Sequence, residues 1–229
     1  MLDVCVTAIR RPEVLELTLR SFSKRLKAAP PFRIILNIDP LGDGSADDVI
    51  ECASRFATHI EVRVAAKACF PSAVNWAWEN VRSDIFLHLE DDWILKKNVD
   101  YRAWESALRA SRASQSVLLM KKPRTDPGSL RYSFRPHLAK KSVLDEIGTI
   151  PNLVNPEVYA GSQLSFVQTI DYGQEFCVED IGRKWSKFRG LEKKGDIENW
   201  FARRPRNVLT WAEQRLCWMR WRYLVSRDR

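Results

Sequence analysis

The sequence has few cysteines, and none of them stands in the paired short spacing of a zinc site or a disulfide framework. Cysteines of this kind are usually free thiols in a reducing compartment. The first residues lack the basic segment and apolar run of a secretory signal. No apolar run approaches the roughly 20 residues that cross a bilayer. These absences predict a cytoplasmic protein without a transmembrane segment. The five cysteines are Cys5, Cys52, Cys69, Cys177 and Cys217.

The positive charge of the chain is concentrated near its carboxyl end. The 229 residues, of which 45% are hydrophobic, suffice for one sizeable domain with a packed core. The net charge is +8, yet residues 182–229 hold 14 Lys and Arg against 5 Asp and Glu, which gives +9 there and −1 for the remainder. Such a basic segment favours an anionic partner, although a solvated basic face is the plainer interpretation.

One apolar run ends abruptly in acids. Residues 85–89, Ile-Phe-Leu-His-Leu, precede Glu90, Asp91 and Asp92, which are called the acidic motif below. A short apolar run of this kind predicts a central strand of a parallel sheet, and ligands bind beyond the carboxyl ends of such strands. Adjacent carboxylates are costly to hold together unless a cation lies among them, and Mg²⁺ or Mn²⁺ prefers oxygen ligands. The alternative is an ordinary acidic loop.

Strand and helix patterns alternate through the first 95 residues, which predicts a parallel sheet with helices on its faces. Pro12 suits the first turn of a helix, and Ser45 with Asp48 forms a capping box. The predicted strands are residues 2–7, 32–38, 60–64 and 85–90, and the helices between them follow Pro12, Ser45 and Pro71.

The later part of the chain is less regular. It contains an exposed loop with the composition of a functional flap, a helix that starts among acids, and a basic, Trp-rich final helix with a second capping box. The predicted elements are a helix at 101–113, a strand at 117–120, the loop at 121–131, a strand at 132–135, a helix at 140–147, a helix from Val178 and a helix from Thr210.

Five short motifs together resemble the glycosyltransferases of GT-A fold, and most of all glycosyltransferase family 2. The resemblance implies an α/β fold of Rossmann type, with a mostly parallel sheet and a basic, aromatic C-terminal helical extension. It implies a catalytic domain at 1–200, with a nucleotide-sugar half at 1–95 and an acceptor half at 96–200, followed by the extension at 201–229. The motifs are residues 4–12, Asp39 with 43–48, Ala73-Val74-Asn75, the acidic motif and residues 178–180.

The resemblance assigns the donor site. It makes Asp92 the direct ligand of Mn²⁺ or Mg²⁺, with Glu90 and Asp91 holding water, ribose or metal at one remove. Asp39 and Asp43 both match the aspartate that meets the nucleotide base, and Asp39 is favoured because it ends its strand. Further donor contacts are assigned to Thr7, Arg11 and Lys67. The implied donor is a nucleotide-sugar, and a UDP-sugar is favoured.

The resemblance also implies an inverting enzyme with a carboxylate base. Asp180 is the first candidate and Glu179 the second, and acids that favour a helix N-terminus are the structural alternative. The sequence departs from the family pattern in two ways. Val74 replaces a basic residue, and no histidine follows Asp180 to complete a metal site. His88 lies inside a strand and is expected to be a core residue.

Several alternatives stay open. The acceptor is a saccharide, a lipid-linked group or a hydroxylated base in DNA, and a nucleotidyltransferase or a non-catalytic nucleic-acid-binding protein would use similar residues. The nucleotidyltransferase would favour a glycine-rich phosphate loop, which residues 7–11 lack. The C-terminal Trp and Arg residues suit DNA, a membrane surface, or packing against the domain or a second subunit. The sequence leaves the oligomeric state undetermined.

Overall fold

A computed structural model describes residues 1–120, 132–152, 154–165, 169–182 and Trp185, with the backbone of 191–192 and 202–203. The predicted flap at 121–131 lies outside the described residues. So does the predicted helix from Thr210, together with nearly all of the basic extension. Within the described part of the chain, no helix is long and apolar enough to span a bilayer.

The first half of the chain confirms the predicted alternation of strand and helix. The Ser45–Asp48 capping box is also confirmed, since each side chain meets the backbone N–H of the other residue. A two-residue strand, β2, is an addition. The elements are β1 Leu2–Ile9, α1 Pro12–Arg25, β2 Leu26–Lys27, β3 Phe32–Asp39, α2 Ala46–Ser54, β4 His59–Val64, α3 Phe70–Glu79 and β5 Ile85–Glu90.

The second half consists of shorter elements. Two of them, β6 and β11, pair with each other beside the acidic motif. The elements are β6 Trp93–Leu95, β7 Val99–Asp100, α4 Tyr101–Ala110, β8 Gln115–Leu118, β9 His137–Lys140, α5 Ser142–Ile147, α6 Pro156–Gln163, β10 Thr169–Tyr172, β11 Val178–Asp180, β12 Leu191–Glu192 and β13 Ala202–Arg203.

The central sheet has seven strands in the order β10-β8-β9-β5-β1-β3-β4. Neighbouring strands are parallel except at β9, which is antiparallel to both β5 and β8. The predicted α/β fold with a mostly parallel sheet is therefore confirmed. The chain crosses from β3 outward to β4 and then back to β5 on the other side of β1. This reversal of strand order is where α/β sheets bind their ligands.

Each face of the sheet carries its own hydrophobic core. Helices α1, α2 and α4 cover one face, with Leu15, Phe22 and Trp104 packed on the even-numbered positions of β1. Helices α3, α5 and α6 cover the other face, where Val74 and Trp78 pack on Cys5 and its neighbours. The central strands β1, β3 and β5 are mostly apolar on both faces because both faces are covered, as expected of a parallel sheet.

The structure corrects two strand and helix predictions near the site. Residues 178–180 form strand β11 rather than the start of a helix, and they pair antiparallel with Leu95, Ile94 and Trp93. This long-range pairing outweighs the local preference of acids for a helix N-terminus. Residues 132–135 are not a strand, since β9 begins only at His137, after a proline that has no N–H to donate.

Other boundaries shift by two or three residues. Helix α4 ends at Ala110 instead of residue 113 because Ser111 is extended, and β8 begins two residues before the predicted strand. Helix α5 begins at Ser142 because Lys140 still belongs to β9. Helix α6 had no predicted counterpart, although Asn155 caps it and Pro156 opens it in the usual manner.

His88 is confirmed as a core residue, but it is not satisfied by hydrogen bonds. The imidazole is fully buried on β5, and within the described residues neither ring nitrogen has a hydrogen-bond partner. The ring stacks on His137 at 5.1 Å between centroids, and Phe134 meets its other side. Burial, together with His137, holds the pKa of His88 well below its ordinary value. Burial also lowers the pKa of His137, to about 4.

These two histidines predict an acid-sensitive fold. Both are neutral in the native protein, whereas in the unfolded chain they bind protons below about pH 6.5. The free energy of unfolding should therefore have its full value above about pH 6.5 and should decrease as the pH drops from about 6.5 towards 4. Each histidine contributes up to about 1.4 kcal/mol per pH unit in that window. Urea unfolding at pH 7.5, 6 and 5 measures the loss.

The variant His88→Phe isolates the effect. It keeps an aromatic ring beside Phe134 and removes one proton-binding group, so its stability should fall less steeply with acid than that of the wild type. Parallel stability curves for the two proteins between pH 7.5 and 5 would show that His88 is not responsible.

Candidate functional site

Polar side chains form a row across the carboxyl ends of four neighbouring strands. Thr7 lies beside Glu90 on one side and Asn37 on the other, and Asn37 lies beside Arg63. Residues opposite one another in a parallel sheet project from the same face, which here is the face that carries α3. Within the described residues, the Thr7 hydroxyl and the side-chain oxygen of Asn37 are buried without a hydrogen-bond partner. Buried orphan acceptors beyond the ends of parallel strands suit a polar ligand.

Asp39 ends β3 and is almost buried, at 8% exposure. Its carboxylate accepts hydrogen bonds from the Asn37 amide at 2.9 Å and from the Cys69 N–H at 3.2 Å. Burial raises the pKa of Asp39, and the two hydrogen bonds oppose that rise. The loop that leads into α3 is therefore held against the end of β3. The exposed residue Lys67 lies on this loop.

Two loops meet at the entrance to this row. The Arg10 N–H donates to the Leu41 carbonyl at 2.5 Å, and the Gly44 N–H donates to the Arg10 carbonyl at 3.0 Å. Gly42 has a φ of +103°, and a Cβ there would strike the Arg10 carbonyl oxygen. The turn between β3 and α2 thus needs glycine at this position.

Asp91 faces the interior and is paired with Arg11. Its Oδ2 accepts hydrogen bonds from Arg11 Nε at 2.8 Å and from the Ile9 N–H at 3.1 Å, and its Oδ1 accepts one from Arg11 Nη2 at 2.5 Å. Asp91 and Arg11 are 2% and 4% exposed. Burial raises the pKa of Asp91 while Arg11 opposes the rise. Burial alone would lower the pKa of Arg11, but Asp91 and Asp92 raise it above its ordinary value.

Asp92 is the more accessible of the two aspartates. Its Oδ2 lies 2.9 Å from Arg11 Nη2, and its side chain is 16% exposed. Its carbonyl accepts the Ile181 N–H at 2.8 Å, so its backbone is held by the segment that follows β11. Glu90, one position before the pair, is half-buried at the end of β5. Within the described residues, no three His, Cys, Asp or Glu side chains form a metal-binding group by themselves.

The structure brings Asp180 and Glu179 beside the acidic motif. Asp180 lies opposite Trp93, the residue after Asp92, in the β6–β11 ladder. Its Oδ1 accepts the Gly182 N–H at 2.9 Å, and the carboxylate is half-buried. Glu179 lies 3.3 Å from Lys96 in an ion pair. Residues separated by almost ninety positions in sequence thus share one end of the fold.

Trp185 packs against the guanidinium of Arg11. Its ring lies 5.2 Å from the Arg11 guanidinium carbon, and its indole N–H donates to Glu13 at 3.0 Å. The side chain is 1% exposed and packs with Val14 and Ile94. Trp185 is therefore a core residue.

The sequence did not reveal the partners of Arg11 or the place of Asn37 in the row of polar side chains. Arg11 was assigned to the donor, whereas the structure places its guanidinium on Asp91, Asp92 and the Trp185 ring. A signal was present, since a buried run that ends in three acids needs a nearby cation. Arg11 follows the neighbouring strand β1, where such a cation would have to lie.

A separate cleft of about 390 Å³ lies between α3 and α5, lined among others by Asn75, Trp78 and Lys141. It opens near the amino end of β5, where the Lys141 N–H donates to the Asp84 carbonyl. None of the residues predicted to act on substrate lines it.

No family model and no curated protein sequence matches this chain. Solved structures do match it. S. aureus TarS is 12% identical over 76% of this chain, with a TM-score of 0.57. The mannosyltransferase PcManGT from Pyrobaculum calidifontis, solved with GDP-Man and Mn²⁺, is 16% identical over 82% of this chain, with a TM-score of 0.61. A protein assigned as a glucose-1-phosphate thymidylyltransferase from Bacillus anthracis is 14% identical over 80%, with a TM-score of 0.53.

These similarities establish the GT-A fold for this chain, as the sequence motifs implied. At such low identity they establish the fold alone. The chain spans 36% of TarS and 60% of PcManGT, so it corresponds to part of each of those proteins, whereas it spans 90% of the thymidylyltransferase.

Proposed function

We propose that this chain is a metal-dependent, inverting glycosyltransferase that moves a sugar from a nucleotide-sugar to a hydroxyl acceptor. The observation that carries the proposal is the position of Asp92 at the end of β5, with Asp39 ending β3 on one side and Asp180 ending β11 on the other. Donor, leaving-group and acceptor functions then occupy adjacent parts of one edge of the sheet.

The donor nucleotide is proposed to bind across β1 and β3. Asp39 offers carboxylate oxygens to a base, and the orphan hydroxyl of Thr7 lies one strand away. Lys67, an exposed residue of the loop tied to Asp39, is proposed to contact a phosphate. A UDP-sugar is the proposed donor, and both TarS 1–349 with UDP and PcManGT with GDP-Man and Mn²⁺ show that this fold accepts nucleotides.

The acidic motif fits a divalent cation. The carboxylates of Asp91 and Asp92 share the single guanidinium of Arg11, so these three side chains together carry a net charge of −1 that a divalent ion would offset. Asp92 would hold the ion, with Glu90 beside it, and a Mg²⁺ or Mn²⁺ site of this type takes its other ligands from phosphate and water. When bound, the ion neutralises charge on the departing diphosphate. The buried Asp91 is proposed to position Asp92 rather than touch the ion, since Arg11 and the Ile9 N–H occupy its carboxylate.

Asp180 is proposed as the base. It would take the proton from the acceptor hydroxyl as that oxygen attacks the anomeric carbon from the side opposite the diphosphate. Glu179, which is paired with Lys96, remains the second candidate.

The variant Asp180→Asn should slow sugar transfer by about a hundred-fold or more, because an amide cannot accept the proton. Binding of the donor should survive, so a calorimetric titration with UDP and Mn²⁺ should match the wild type. Glu179→Gln is the matched control and should retain most of the activity. A larger loss in Glu179→Gln than in Asp180→Asn would transfer the role of base to Glu179.

The proposed acceptor is a hydroxylated base in DNA, on the strength of the basic, Trp-rich segment near the carboxyl end. Arginines that neutralise phosphates and indoles that stack on bases are the usual means of holding nucleic acid. A saccharide or lipid-linked acceptor is the alternative. DNA binding that does not weaken as salt rises from 50 to 200 mM would argue against the DNA acceptor, since phosphate contacts release counterions.

A nucleotidyltransferase is the second candidate function. The observation in its favour is the similarity to the thymidylyltransferase, most of whose length this chain covers. The two reactions differ in their products. Incubation with UDP-sugars and Mn²⁺ should release UDP if the chain is a glycosyltransferase. Release of pyrophosphate from a nucleoside triphosphate and a sugar phosphate would favour the nucleotidyltransferase instead.

A further inference from the structure

Gly182 lies directly against the carboxylate of Asp92. A Cβ placed on Gly182 would meet Oδ2, Cγ and Cβ of Asp92, each at 3.0 Å or less. All three of the nearest atoms belong to this one side chain, and no backbone atom is among them. The backbone of Gly182 is not in the left-handed region, so the glycine is required by space rather than by conformation.

The backbone of Gly182 cannot retreat easily from Asp92. The preceding N–H, of Ile181, donates to the Asp92 carbonyl at 2.8 Å, and the Gly182 N–H donates to the Asp180 carboxylate at 2.9 Å. One turn later, the buried Trp185 donates its own N–H to the Ile181 carbonyl. A side chain at position 182 would therefore be accommodated by rotating Asp92, and that rotation would break its contact with Arg11.

We propose that Gly182 is the positioning residue for Asp92, because its bare Cα holds the carboxylate against Arg11 in the orientation that receives the cation. The expected effect of Gly182 on cation binding rests on the proposed function, whereas the close contact between Gly182 and Asp92 does not depend on it. The base Asp180 and the ligand Asp92 are both hydrogen-bonded to one short backbone segment, residues 181–182.

The first test asks whether Gly182 and Asp92 are in steric contact, and it compares the melting temperatures of four proteins: wild type, Gly182→Ala, Asp92→Ala and the double variant. Gly182→Ala should lower the melting temperature by about 4 °C, since overpacking destabilises a domain of this size. In the Asp92→Ala background the same change should cost less than half as much, because Oδ2 and Cγ are gone. Equal shifts in both backgrounds would refute the proposal.

The second test measures Mn²⁺ affinity in the presence of UDP, from the electron paramagnetic resonance signal of free Mn²⁺. Gly182→Ala should weaken Mn²⁺ binding at least about tenfold, since the ligand is turned away. The matched control is Gly148→Ala. Gly148 has a φ of +63°, and its Cβ would meet nothing within 4 Å, so the change strains the backbone without touching Asp92. It should lower the melting temperature and leave Mn²⁺ affinity unchanged.

The two tests separate the positioning role from the proposed function. A wild-type protein that binds Mn²⁺ and a Gly182→Ala protein that binds it equally well would overturn the positioning role and leave the proposed function standing. A wild-type protein that binds no Mn²⁺ with UDP would overturn the metal-dependent function. The melting temperatures of the four proteins would then decide the claim about Gly182.

Discussion

Replacing Asp92 by Asn is expected to abolish sugar transfer, with a loss of about 1,000-fold or more in turnover. The amide keeps the shape of the carboxylate but removes the charge that would hold the cation at the end of β5. Arg11 keeps its two contacts with Asp91, so the fold should persist with a melting temperature close to that of the wild type.

A steady-state assay of UDP release, run beside a thermal melt, checks both parts of this prediction. Asp145→Asn is the control, because Asp145 is an exposed carboxylate on α5 that lines the separate cleft. It should leave turnover unchanged. Near-normal turnover in Asp92→Asn would remove Asp92 from the chemistry, whereas a large fall in its melting temperature would mean that Asp92 serves the fold.

Replacing Arg11 by Met is expected to destabilise the protein by about 3–5 kcal/mol. The substitution leaves the Asp91 carboxylate 2% exposed without the cation that now faces it at 2.5 and 2.8 Å. A carboxylate that is buried without a partner costs more than the pair contributes when intact. For a chain of this length, the melting temperature should fall by about 10 °C.

Urea unfolding of the wild type and three variants tests the explanation. Arg11→Lys keeps the charge but cannot form the bidentate pair with Asp91, so its stability should lie between those of the wild type and Arg11→Met. The double variant Arg11→Met/Asp91→Asn removes the stranded charge and should recover at least half of the loss. If the double variant is no more stable than Arg11→Met, the cost arises from lost packing against Trp185 rather than from the stranded carboxylate.

The part of the fold that sequence predicted is the part that local pattern controls. Strands β1, β3 and β5 are mostly apolar on both faces, β4 alternates between apolar and polar residues, and the Ser45 capping box fixes the start of α2. Those signals lie within a few residues of the elements that they specify.

The errors arise where distant pairing decides. Val178–Asp180 has the composition of a helix start, but it forms a strand because β6 offers a partner some eighty residues away. His137–Lys140 is similarly fixed by β5 and β8 on its two sides, which no local pattern reveals.

The same distinction applies to the candidate site. The acidic motif was visible because three carboxylates after an apolar run are unusual. The partnership of Arg11 with Asp91 spans 80 positions, and the dependence of Asp92 on Gly182 is purely steric. A glycine two positions after an acid has no signature of its own in a single sequence, so only the structure could show what it touches.

The most direct test of the central claim is the manganese anomalous signal in a crystal soaked with Mn²⁺ and UDP. We expect a peak within about 2.5 Å of the Asp92 carboxylate, with UDP bound and its uracil beside Asp39. A peak at the cleft between α3 and α5, or UDP bound with no manganese near Asp92, would contradict it and leave the GT-A fold without the proposed chemistry.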